Sequence, residues 1–280
     1  MGDVFYLDGA FVPAESAALP VTDLGLVRGY GVFDFTRTYN GQPWQLQAHV
    51  DRLYESARSI GLMLPWSTDE VTGIINETLA QNDHDESYIR VIVTGGDSLD
   101  SVTLDGHPRL LVMITRATPP ADAIYRAGAH VVTVDEQRYM PGVKSIVYIP
   151  AVRAMQQARA AGGLEALYRD QAGYVYEGTT TNVFAVIDGR LVTPPLQGVL
   201  RGITRDVILK LAQSVLPVDE RPLLLDALYQ ADEVFITSST KQVMPVVRVD
   251  DCVISEAPGP YTRHLMRAFG DLTGCPLPVD

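Results

Sequence analysis

Apolar and polar residues alternate along V-F-D-F-T-R-T-Y (32–39), the two-residue period of a strand, and Asn40-Gly41 ends the run. Phe33, Phe35, Arg37 and Tyr39 share one face of this strand, while Asp34, Thr36 and Thr38 share the other. Shorter apolar runs pair around turns: Val4–Val12 about Asp8-Gly9, 165–170 with 173–177, and 183–187 with 190–193 about Asp188-Gly189. Single strands are predicted over 87–94, 109–115, 130–135, 233–237 and 244–249. Helical spacing appears at 49–61, with Leu53, Ala57 and Ile60 on the apolar stripe and Arg52 near the first turn. Ser67-x-x-Glu70 is a capping box opening a helix to about Gln81. Further helices are predicted over 151–161, stopped by Gly162-Gly163, and over 203–215, 225–231 and 261–272.

Thr118-Pro119-Pro120 interrupts the pattern. The expected organisation is a small N-terminal α+β domain over 1–117, a linker over 118–121, and a larger C-terminal domain over 122–280. No internal repeat or low-complexity tract is visible. With 280 residues, 46% hydrophobic and 20% charged, the chain reads as a soluble globular protein with a sizeable core. A net charge of −12 argues against nucleic acid and against an anionic membrane surface. Cys252 and Cys275 form neither a disulfide framework nor metal-ligand spacing, and the five histidines are scattered, so no metal is expected and a reducing cytoplasm fits. The N-terminus has no basic region followed by an apolar signal core, and no apolar run approaches the roughly 20 residues that cross a bilayer.

Three stretches carry candidate chemistry. Lys144 lies in M-P-G-V-K-S-I-V-Y, beside Pro-Gly and inside an apolar run. Burying an ammonium is costly, so such a lysine lowers its pKa or finds a partner, and an imine to a carbonyl cofactor is a useful one. The alternative is a loop lysine with its amine in water. Arg201-Gly202-Ile203-Thr204-Arg205-Asp206 opens a helix, where free N–H groups and the helix dipole favour an anion; alternatively Gly202 or Thr204 merely caps that helix. Thr237-Ser238-Ser239-Thr240 follows an apolar strand and reads either as a hydroxyl-rich anion turn or as an ordinary one. Arg52 offers a permanent charge to the same phosphate, or else is a solvated helix-face arginine paired with Asp51 or Glu55. No P-loop and no G-x-G-x-x-G is present.

Taken in order, R-G-Y-G-V-F-D, H-V-D-R-L, V-K-S, Y-E-G-T-T-T-N-V-F, L-R-G-I-T-R-D and T-S-S-T-K-Q-V-M-P-V resemble the fold-type IV pyridoxal-phosphate enzymes over nearly the whole chain. These include D-amino acid transaminases, branched-chain aminotransferases, (R)-amine transaminases and aminodeoxychorismate lyase. The resemblance implies a two-domain α+β / α/β architecture with a β-barrel-like C-terminal domain flanked by helices. It implies pyridoxal 5′-phosphate as cofactor, bonded to Lys144, with Glu177 at the pyridine nitrogen. Arg52, Ile203, Thr204, Ser239 and Thr240 are the implied phosphate ligands. Tyr148 resembles the tyrosine near the cofactor's phenolic oxygen, with spacing from the lysine that differs by one residue. A homodimer with its active site near the subunit interface is also implied, with amino and keto acids as substrates and the substrate pocket where the domains meet.

The carboxylate-binding residues depart from the resembled pattern. The V-T-R-G arginine of many D-amino acid transaminases is absent, since this chain reads Val93-Thr94-Gly95-Gly96. Arg90 lies on the same strand, Arg28 precedes the first pocket strand, and Arg37 falls where branched-chain enzymes carry the arginine of F-E-G-x-R. Arg90 and Arg28 together suggest a carboxylate clamp, with Arg28 serving its own or the neighbouring subunit. The extra arginines favour a D-amino acid transaminase using 2-oxoglutarate. A branched-chain L-amino acid aminotransferase is the alternative, supported by Arg37 and Tyr148, and aminodeoxychorismate lyase the next. A fold relative without catalysis is disfavoured by the presence of both Lys144 and Glu177.

Overall fold

The structure, a computed structural model, describes residues 2–279. Its internal contacts divide the chain into two units, 1–118 with 143–147 and 119–142 with 148–280. The lysine segment, which sequence order assigns to the C-terminal domain, thus packs with the N-terminal unit.

In the first unit the chain runs β1 (Val4–Leu7), β2 (Ala10–Pro13), α1 (Leu24–Arg28), β3 (Gly31–Tyr39), β4 (Gln42–Pro43), α2 (Leu46–Ser59), α3 (Thr68–Ala80), β5 (Ser87–Thr94) and β6 (Arg109–Arg116). The strands form one sheet in the order β2-β1-β6-β5-β3-β4. The Ser67–Glu70 capping box forms as expected at the start of α3. α2 begins three residues before the predicted start, which moves Arg52 from the first turn to mid-helix. Two stripes of α2 are buried, Val50, Leu53 and Ala57 on one and His49, Arg52 and Ser56 on the next, each at i, i+3, i+7. Burying Val50 and Leu53 contributes about 1.5–3 kcal/mol each.

The polar stripe meets Asp34, which is 2% exposed on β3. Arg52 donates to it twice, Nε to Oδ2 at 2.8 Å and Nη2 to Oδ1 at 2.9 Å, and His49 Nδ1 lies 2.6 Å from Oδ1. This is a tertiary pairing, not the pairing with Asp51 or Glu55 that a solvated helix face implies. Burial works against an ionised Asp34, but Arg52 and His49 outweigh it and hold the carboxyl far below the usual range. Burial pushes His49 below its ordinary value; Asp34 opposes this, while the charges of Arg52 and Lys144 add to it.

The second unit contains α4 (Asp122–Ala127), β7 (Ala129–Asp135), α5 (Ile149–Ala160), β8 (Glu165–Arg169), β9 (Tyr174–Gly178), β10 (Asn182–Ile187), β11 (Arg190–Thr193), α6 (Ile203–Ala212), β12 (Val218–Glu220), β13 (Leu223–Leu224), α7 (Leu225–Tyr229), β14 (Glu233–Ser238), β15 (Gln242–Val249), β16 (Cys252–Val253) and α8 (Pro260–Thr273). Six strands close on themselves in the order β10-β14-β15-β7-β8-β9, with β9 returning to β10 through Glu177 and Asn182. This is the expected barrel-like sheet with flanking helices. β7 pairs in parallel with both β15 and β8, which is why its residues are buried almost without alternation. Ala154 and Ala158 of α5 let that helix approach Val132, Val134, Ala166 and Tyr168 of β7 and β8. Stacked Phe184 and Phe235, with centroids 4.9 Å apart, join β10 to β14.

Asp34 supplies the acid sensitivity of the first unit. Its folded pKa is depressed, so its contribution is complete above about pH 4 and is lost as pH falls toward the folded value. His49 binds a proton more readily in the unfolded chain, so stability also declines as pH falls through about 6.5. Asp34→Asn leaves Arg52 and His49 without their anion and is expected to cost about 3–5 kcal/mol at pH 7. Urea denaturation across pH 3–7 measures this; a variant that matches the parent in both midpoint and acid slope contradicts it.

Candidate active site

In the first unit, residues 144–146 run antiparallel along the start of β3. Phe33 N–H donates to the Lys144 carbonyl at 2.9 Å, Ile146 N–H donates to the Gly31 carbonyl at 3.1 Å, and Val32 bridges Ser145. Lys144 N–H donates to Ser56 Oγ at 3.2 Å, from the stripe of α2 that carries His49 and Arg52. Those backbone bonds are why 143–147 belong to this unit. The Lys144 side chain is half-buried, with Nζ 4.6 Å from the centre of the Phe33 ring. It is neither a loop-tip lysine nor one sealed in the core.

Three arginines were expected at the substrate. Arg90 stands opposite Phe35 on β5, with its guanidinium 5.0 Å from the Phe35 ring and 5.4 Å from the Phe33 ring. Phe33 therefore carries both Arg90 and Lys144. Arg37 is buried; its Nε donates to the Thr38 carbonyl at 3.2 Å, and its guanidinium lies 4.6 Å from the Tyr39 ring and 6.0 Å from that of Tyr88. Arg28 ends α1, is exposed, and donates to the Val27 carbonyl at 2.9 Å. Gly31 pairs with Thr94 and Phe35 with Arg90, so the strand start that Arg28 precedes lies about 13 Å along the sheet from Arg90. Within this chain their backbone positions do not converge.

In the second unit, Glu177 is 4% exposed on β9. Its Oε1 accepts from Arg138 Nη1 at 2.9 Å and its Oε2 from Leu200 N–H at 2.9 Å. Both donors stabilise the anion. Burial works against the charge of Arg138, but Glu177 outweighs it and raises the guanidinium pKa. Sequence reading missed Arg138; the only signal was an arginine just ahead of the lysine segment. Asn182, the cross-strand partner of Glu177, donates through Nδ2 to the Leu200 carbonyl at 3.0 Å. Leu200 is thus held at both its N–H and its C=O. Two residues on, Gly202 sits so near Asn182 that a Cβ would come within 2.0 Å of Oδ1. Tyr148 is half-buried at the N-cap of α5.

Gly202 is the N-cap residue of α6, and no side chain caps that helix. The first-turn N–H groups of Ile203 and Thr204 have no intrahelical partner, and Thr204 is buried. Asn182 also pairs with Thr237, so the Ser238–Thr240 turn begins next to this helix start. In that turn Ser238 Oγ lies 3.1 Å from Thr240 Oγ1 and accepts from Lys241 N–H at 3.0 Å. Ser239 and Thr240 are half-buried. Lys241 Nζ reaches the fully buried Glu165 at 3.1 Å and Thr180 Oγ1 at 2.8 Å, tying this turn to the one between β9 and β10. The hydroxyls of Thr181 and Thr237 are buried and make no hydrogen bond among the described residues. An uncapped helix start and a glycine cradle fit a phosphate-bearing group.

The family model for amino-transferase class IV matches residues 31–249. A putative branched-chain-amino-acid aminotransferase of Methanocaldococcus jannaschii is 39% identical over 95% of each chain. The branched-chain-amino-acid aminotransferase of Pseudomonas aeruginosa is 33% identical over 96% of this chain and 92% of its own. A D-alanine aminotransferase of Staphylococcus aureus is 30% identical over 94% and 95%. Among solved structures, a T.th. branched-chain amino acid aminotransferase with pyridoxamine 5′-phosphate superposes with a TM-score of 0.90, at 30% identity over 98% of this chain and 95% of that one. Among the described residues no helix is long and apolar enough to cross a membrane.

Gly202→Ala is expected to push Asn182 away from Leu200 and spoil the helix start. The dissociation constant for pyridoxal 5′-phosphate should rise about tenfold, roughly 1.4 kcal/mol, read by fluorescence titration of the apoprotein. Binding as tight as the parent's would show that the cradle is not used.

Proposed function

The chain belongs to the class IV aminotransferases, and from that premise we propose that it passes the amino group of a branched-chain L-amino acid to 2-oxoglutarate, with Lys144 as the catalytic residue. It acts on small-molecule amino and keto acids, and its cofactor is pyridoxal 5′-phosphate. When bound, the cofactor's protonated ring draws electrons from the substrate's α-carbon. Glu177 holds the proton on the pyridine nitrogen, kept anionic by Arg138 and the Leu200 N–H. Lys144 would hold the cofactor through Nζ, and its amine would serve as the base that moves the proton at the substrate's α-carbon. Arg52, Ile203, Thr204, Ser239 and Thr240 would hold the phosphate, and Tyr148 would serve the phenolic oxygen. Asp34 fixes the plane of the Arg52 guanidinium through two of its nitrogens.

One observation carries the substrate assignment. Lys144 Nζ lies 4.6 Å and the Arg90 guanidinium 5.4 Å from the centre of the Phe33 ring, and Arg90 also lies 5.0 Å from that of Phe35. An aromatic wall beside the reactive amine suits an aliphatic side chain, and a guanidinium at the edge of that wall suits the second carboxylate of glutamate or 2-oxoglutarate. The names of the relatives at 39% and 33% identity support this choice. Transfer from a D-amino acid, which the extra arginines favour in the sequence, is the second reading, supported by relatives at 30–32% identity. Exposed Leu26 on α1 and exposed Ile149 and Val152 on α5 support a homodimer. The reducing cytoplasm remains the proposed compartment.

Borohydride reduction of the holoenzyme should fix the cofactor on Lys144 alone, seen by peptide mass mapping; label on another lysine overturns the assignment. L-leucine and L-valine should convert the bound cofactor to its amino form, followed by absorbance. If only D-alanine or D-glutamate does so, the second reading replaces the first. Arg90→Leu should raise KM for glutamate about 10- to 100-fold, the worth of a charge-assisted hydrogen bond, with little change for leucine. Equal KM values for glutamate remove Arg90 from the substrate site.

A further inference from the structure

Tyr168 presents an unexplained polar atom. The residue is 1% exposed, and its hydroxyl is buried without a hydrogen-bond partner among the described residues. An orphaned buried hydroxyl costs roughly as much as a hydrogen bond gains, so a native fold keeps one only where something else satisfies it. The body of the ring is accounted for: it packs with Val132, Val134, Ala154 and Ala158. Its outer end is not. Leucine or phenylalanine would fill an apolar slot between α5 and the sheet without bringing an oxygen.

The register places Tyr168 next to Glu177 across the strands. Leu167 pairs with Gly178 and Arg169 with Val175, so Tyr168 alone stands opposite Tyr176 and Glu177 at a bulge. Bulges re-aim side chains and gather beside active sites. The charged and titratable groups acting on Tyr168 are Arg138, Tyr148, Glu165 and Glu177: the ion pair proposed at the pyridine nitrogen, the tyrosine proposed at the phenolic oxygen, and the glutamate that opens β8. Burial drives the phenol's pKa up, with Arg138 opposing, so the group is a donor at any working pH.

We propose that Tyr168 is a cofactor-binding residue whose hydroxyl is satisfied only when pyridoxal 5′-phosphate is bound, adding a donor to the Glu177–Arg138–Tyr148 set. This rests on the cofactor reading of Glu177 given above. It adds a polar contact from β8, a strand to which no cofactor contact had been assigned.

The test compares Tyr168→Phe with the parent, in apo and holo forms. If the hydroxyl waits for the cofactor, removing it relieves the apoprotein. The apo variant should then melt at or above the parent, while the rise in Tm on adding pyridoxal 5′-phosphate shrinks. The dissociation constant for the cofactor should rise about three- to tenfold, the worth of one neutral hydrogen bond, with borohydride still fixing it on Lys144. An apo variant that melts lower, with an unchanged cofactor-induced rise, assigns the hydroxyl to the fold and overturns the proposal. So does a variant indistinguishable from the parent in both forms. If the parent itself gains no stability from pyridoxal 5′-phosphate, the cofactor reading fails, and this inference fails with it.

Discussion

A single carboxylate, Asp34, makes the polar stripe of α2 tolerable inside the first unit. Arginine and histidine are seldom buried unpaired, and here both are answered by one side chain on the facing strand. With the helix seated in this way, its next residue on the same stripe, Ser56, meets the backbone of Lys144. β3 meets the same segment from its own edge. The Lys144 backbone therefore depends for its position on an ion pair about one turn away along the helix stripe. A helix packed by Val50, Leu53 and Ala57 alone would be free to rotate by a fraction of a turn without losing much apolar burial.

The second unit solves a related problem with strands. Glu177 is fixed by its place where the sheet closes, because β9 meets β10 at Glu177 and Asn182. Asn182 then does two jobs on either side: it holds the Leu200 carbonyl, and it pairs with Thr237 at the end of β14. The helix start at Gly202 and the turn after Ser238 are brought together by this one residue. Glycine at 202 is a steric consequence of Asn182 and is not needed for any unusual backbone angle.

Elements with a strong period were legible. The helix over 151–161, the hairpins at Asp8-Gly9 and Asp188-Gly189, and the capping box at Ser67 appear within a few residues of their predicted bounds. Short pieces such as α1, α4 and β12 were not, since so few residues carry no periodic signal. Motif order also singled out Lys144 and Glu177 as the residues proposed for the site. What the sequence concealed was pairing: Asp34 with Arg52, Arg138 with Glu177 and Lys241 with Glu165 are separated by 18, 39 and 76 positions. Local charge spacing pointed Arg52 toward Asp51 or Glu55 instead. The membership of 143–147 in the first unit was hidden for the same reason, since it is set by hydrogen bonds to β3 and α2.

Closure of the six-stranded ring has a consequence for synthesis. β7 needs β15 as its parallel neighbour, and Val246 beside Ala129 means that most of the second unit must emerge before that seam can form. Until then β7 shows an unpaired apolar edge while β8 and β9 are already available to it. Such long-range parallel pairing is slow to form. The nascent chain is thus most prone to wrong association in the interval between translation of residue 135 and residue 249, and the C-terminal third works as the latch that ends that interval.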